Sequence, residues 1–134
     1  LAAYDAWADH LLQDEAFPSD DLATLWAHFG VHNNTVGNLA EARWYGSLFL
    51  AQAANEEPWM APHLLRAAAC LAKEHDLMWQ AWGLVGGIGM DEAKARQLAQ
   101  PAVRREMVQV IAAARAQCAE AAEQMARALT QAHR

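Results

Sequence analysis

The chain is predicted to be all-α, an irregular five-helix bundle with a long C-terminal helix, and three observations predict it. Alanine, the strongest helix former, occurs 32 times, while the β-branched strand formers are scarce: six Val, two Ile and three Thr. Apolar residues recur at steps of three and four, the spacing of one helix face. Proline and glycine fall at a few places that divide these periodic stretches. With 134 residues, 54% apolar and 19% charged, and no linker or internal repeat, residues 1–134 read as a single helical domain. Such a chain needs neither disulfide nor metal to fold.

The first helix is expected over residues 1–15, with Tyr4, Trp7, Ala8 and Leu11 as its apolar stripe and Phe17-Pro18 ending it. Ser19 is the expected N-cap of a short second helix that buries Leu22, Leu25, Trp26 and Phe29 and stops at Gly30. After a polar loop through Asn33 and Asn34, a third helix over 35–54 is apolar on more than one face and therefore central. Within it Gly46, one turn after Ala42, would admit a close neighbour. Pro62 suits the first turn of a fourth helix that reaches Trp82. Leu64, Ala68, Leu71, His75, Met78, Trp82 and Val85 form its seam, with a histidine inside it. Gly83, Gly86, Gly87 and Gly89 make a turn that is the best hinge candidate, and Asp91 is expected to cap a short helix to Ala99. From Pro101 to Ala132 a stripe from Val103 through Met107, Val110, Ala114, Cys118, Ala121 and Met125 to Leu129 spans roughly 45 Å at the helical rise. Helices of 20 residues could not cover that length, so a homodimer through the C-terminal helix is expected.

The formal net charge is −6, with nine acids against the single Arg43 in residues 1–62. An acidic surface repels phosphate backbones, so no nucleic acid is expected as a partner. Arg104, Arg105, Arg115 and Arg127 share the last helix with Glu106, Glu120 and Glu123 and read as a solvated mixed face. No apolar run is long enough to cross a membrane, and no leader precedes the first helix, so cytoplasm is the expected compartment. Cys70 and Cys118 in Ala-rich helices fit free thiols there.

Six tryptophans in a chain of small residues are the most unusual feature. Trp79 and Trp82 lie one turn apart beside His75 and Met78. Clustered indoles offer large apolar faces and a polar N–H, the chemistry of a cavity for a flat or cationic ligand. Trp44, Tyr45, His75, Met78, Trp79 and Trp82 are therefore the candidate ligand-binding residues, and Glu41 could add a carboxylate. Core packing is the competing explanation for the same residues.

No catalytic residue, metal site or cofactor is assigned. The cysteines have no histidine at helical spacing, the glycine cluster lacks the lysine of a phosphate loop, and the Glu-x-x-His pairs of di-iron bundles are absent. The alternative from another class is a metal-dependent enzyme using His28, His32 or His75 with Asp9 or Asp14. A purely structural interaction domain is the third.

The order Ala3-Tyr4-Asp5-Ala6-Trp7 with Phe17-Pro18, then Leu39 to Leu50 around Glu41-Ala42-Arg43, then Ala67 to Glu74 and Arg104 to Leu129, resembles the helical C-terminal region of bacterial papain-like proteins related to the butirosin-biosynthesis acyltransferase type. The resemblance covers most of the chain. It implies a helical module without catalytic residues, since those of that family belong to the papain-like part.

Overall fold

In the computed structural model, which describes residues 1–132, the first helix α1 spans Ala2–Leu11 and is followed by a 3-10 turn at Asp14–Ala16. It is shorter than the expected 1–15. The next helix, α2, runs unbroken from Leu22–Glu56, so the two helices expected on either side of Gly30 are one. Asp21, not Ser19, caps it: the carboxylate accepts the Thr24 N–H at 3.2 Å and the Thr24 hydroxyl at 2.7 Å, which also holds the Asp21 carboxyl below its ordinary range.

A mid-helix glycine costs about 1 kcal/mol of propensity, and packing outweighs it here. Phe29, His32 and Val36 are buried on the same side of α2. A Cβ at Gly30 would stand 3.4 Å from the Met90 methyl in the turn after the next helix, an ordinary contact distance, so the helix passes through this position without needing a glycine there. Asn33 and Asn34 are helical, and the expected polar loop does not exist.

Helix α3 spans Ala61–Val85 with Pro62 in its first turn. It packs along both α2 and the last helix, α5, Pro101–Ala132. Gly37 faces Trp82 and Gly46 faces Leu71, so α2 and α3 run antiparallel. A Cβ at Gly46 would lie 3.0 Å from the Leu71 methyl, the close approach that its sequence position suggested. Gly86 ends α3 in the left-handed region at φ 109°, and the Gly87 N–H closes the turn on the Trp82 carbonyl at 2.8 Å. Asp91 then caps the short α4, Glu92–Leu98, by accepting the Lys94 N–H.

Two apolar cores result. The larger gathers Leu11, Phe17, Phe29, Met78, Trp82, Leu98 and Met107 where α1 and α4 cover the bundle. The smaller, from Leu50, Leu64, Leu71, Ala121 and Ala128, closes the far end with small residues. Together they cover the α5 stripe from Val103 to Met125 within the chain, leaving Leu129 exposed. The expectation of a dimer seam on α5 assumed 20-residue partners; the helix that runs along α5 is α3, with 25 residues, and α1 and α4 pack beside it.

Arg104 is a second correction. It is buried rather than solvated, donating to the Leu11 carbonyl at 2.8 Å and the Leu98 carbonyl at 3.0 Å, the orphan ends of α1 and α4. It also pairs with Asp14 and lies over the Phe17 ring. The cysteines are free, and no helix among the described residues is long and apolar enough to cross a membrane.

Candidate functional site

Between α2 and α3 lies a groove of about 330 Å³. Glu41, Trp44 and Tyr45 reach it from α2, and His75, Trp79 and Trp82 from α3, with Gly37 and Ala40 beneath. Helical spacing explains the convergence. Residues 37, 41, 44 and 45 share one flank of α2, residues 75, 79 and 82 share one flank of α3, and the antiparallel pairing sets the flanks side by side. Five of the six residues singled out from the sequence thus meet. The sixth, Met78, is fully buried in the larger core and does not line the groove: its position one residue before Trp79 turns it inward.

The aromatic residues stand partly in water. Trp44 is 44% exposed, Tyr45 63% and Trp79 49%, while Trp82 forms the buried floor. Trp79 packs edge-on against Trp82 with centroids 4.7 Å apart, and Trp44 lies 5.0 Å from the His75 ring. The Trp79 indole N–H donates to His75 Nε2 at 3.0 Å, so that nitrogen carries no proton, and Nδ1 faces Asp76 at 3.3 Å. His75 is only half-buried, against the expectation of a core histidine.

The Trp82 Nε1 is buried without a hydrogen-bond partner among the described residues. Its ring turns Cζ2, on the nitrogen side, toward Gly37 in the groove wall, 3.7 Å from where a Cβ would stand. The other buried polar atoms in the same condition, Arg43 Nε, Glu74 Oε2 and Arg115 Nε, are all in ion pairs. An unpaired buried donor costs about 1–3 kcal/mol. The floor of the groove therefore carries an unmet demand for an acceptor.

On the opposite flank of the same helices the polar groups are fully engaged. Glu74, completely buried, pairs with Arg43 Nε at 2.9 Å and accepts the Tyr4 hydroxyl, whose oxygen in turn accepts from Arg43 Nη2 at 3.2 Å. Burial pushes the Glu74 carboxyl upward and, together with the Glu74 bond, the Tyr4 hydroxyl too. Sequence reading missed this cluster. The only available signal was that Glu74 falls three residues after Leu71 and four before Met78.

Further along α1, the Trp7 N–H donates to His32 Nδ1 at 3.0 Å, and His10 Nε2 meets His28 Nδ1 at 2.8 Å. Burial, then the nearby His10, lowers the His32 pKa to about 4, and burial and His28 lower that of His10. These contacts fasten α1 to α2. His28 and His32 do share a face, since the helix continues through Gly30, but each is taken by a different residue of α1. His75 lies in the other groove, and Asp14 is bound to Arg104. Among the described residues no three His, Cys, Asp or Glu side chains are grouped to hold a metal. Burial raises the Cys70 thiol, the opposite of an activated nucleophile.

Compared with protein-family models, with curated proteins and with solved structures, the chain matches none.

Proposed function

We propose that the protein is a non-catalytic binding module that takes a hydrophobic or cationic small molecule in the aromatic groove between α2 and α3. The observation that carries this reading is the exposure of Trp44, Tyr45 and Trp79 around one concavity. Large aromatic surfaces kept in water beside a buried aromatic floor suit a ligand site, and core packing would have turned them inward. The unpartnered Trp82 N–H adds a polar anchor to that floor. The resemblance to the helical part of papain-like proteins accords with a role outside catalysis.

The test is binding of the neutral fluorescent dye Nile red to wild type and to Trp79→Ala. Trp79 is the variant to make, because Trp82 belongs to the core and its removal would disturb the fold. At least a tenfold weaker affinity, about 1.4 kcal/mol, with unchanged helical content is expected. Undiminished binding would remove the groove from the account.

A second reading, an interaction domain, has one specific observation in its favour. Leu48 and Phe49 continue the aromatic flank of α2, and Phe49 is 70% exposed. If copies of the chain associate, this ridge is a better seam than α5. Phe49→Glu should then abolish the association in sedimentation, and an unchanged profile would exclude the ridge.

A further inference from the structure

We infer that the groove selects quaternary or tertiary organic ammonium ions over uncharged molecules of the same shape, an inference that rests on the binding reading above. The rings of Trp44, Tyr45 and Trp79 line the groove, and an aromatic face carries the negative end of the ring quadrupole. Glu41 opens onto the same groove. It makes no hydrogen bond or ion pair among the described residues, and no lysine or arginine lines the groove.

The nearest basic residue in sequence, Arg43, is spent on Glu74 and Tyr4 on the other flank. The His75 Nε2 is occupied in accepting the Trp79 N–H. One carboxylate and three aromatic rings, with no lysine or arginine in the lining, favour a cationic occupant.

The geometry also favours an alkylated cation over a primary amine. A primary ammonium brings three N–H donors that need acceptors, and ring faces supply few. An alkylated ammonium brings no such demand, or a single donor, and presents a diffuse charge to the rings. At about 330 Å³ the groove admits such a head with a short arm. An oxygen on that arm would satisfy the Trp82 N–H, which has no partner among the described residues.

The experiment follows the six tryptophan indole N–H signals by NMR during titration with choline and, separately, with its uncharged isostere 3,3-dimethylbutan-1-ol. Choline is expected to shift the Trp44, Trp79 and Trp82 signals saturably and to leave those of Trp26 and Trp59 in place. The isostere should bind about tenfold more weakly, and Glu41→Gln, at an exposed position, should weaken choline several-fold without changing the isostere. Equal affinity for both probes would overturn the charge selectivity while leaving the binding reading intact. Nile red binding without any response to choline would do the same. If neither the dye nor choline reaches the groove, both the inference and the reading it rests on fall. Choline binding unaffected in Glu41→Gln would overturn the role given to that carboxylate.

Discussion

Glu74 and His75 are consecutive residues of α3 with opposite environments. Glu74 is wholly buried against Arg43 and Tyr4, with every strong polar group near it engaged. His75 stands at the edge of a groove where aromatic rings remain in water and an indole N–H goes unpaired. The same pair of helices therefore has one flank that α1 packs against, with a groove of about 400 Å³ left beside Tyr4 and Arg43, and one that no other helix covers among the described residues. On the first flank the buried polar groups are paired, and beside the second the Trp82 N–H has no partner among the described residues.

The largest expected difference between the flanks comes from breaking the first one. Arg43→Ala strands a buried carboxylate and should cost about 3 kcal/mol or more in urea unfolding. Adding Glu74→Leu to it should recover much of the loss. If the single variant costs under 1 kcal/mol, the first flank holds less of the fold than its geometry suggests.

The attachment of α1 can also be read by pH. His32 is held at about 4, below the ordinary 6.5, so between these values the unfolded chain binds the proton more readily than the folded one. Stability is then full above pH 6.5 and declines as pH falls toward 4, by up to about 3 kcal/mol. His10 acts in the same direction. Glu74 opposes them at the acid end, because its raised carboxyl takes up a proton more readily when folded. His32→Asn, which can still accept from Trp7, should flatten the slope of the urea midpoint against pH. A slope unchanged in the variant would assign the pH response to other groups.

Smaller effects belong to the solvent-facing ends of the bundle. Met125 lies over the small core, partly buried, and Met125→Glu should lower stability by about 1 kcal/mol and leave sedimentation unchanged. Conversion of a dimer into a monomer would restore the α5 seam.

The architecture was legible where period and punctuation agreed: the Pro62 start, the Asp91 cap, the glycine turn and the α5 stripe. Five aromatic-groove residues were legible as well, because flank positions on two neighbouring helices follow from spacing alone. Glu74 was not. Positions 74 and 75 both fit between Leu71 and Met78 at steps of three and four, and composition favoured the histidine. What decides is Arg43 from another helix, a contact the local pattern does not contain. Gly30 misled for a similar reason, since Phe29, His32 and Val36, which carry the helix through it, are buried by residues far away in the chain. Arg104 resembled its solvated neighbours until the ends of α1 and α4 met over it.

The measurement that bears most directly on the contrast is the unfolding free energy of the double variant Trp44→Ala/Trp79→Ala in urea. With both rings about half exposed, the loss should be about 2 kcal/mol, the scale of their stacking on His75 and Trp82. A loss of about 6 kcal/mol or more, the sum of two core aromatic truncations, would make these rings part of the core and contradict the account.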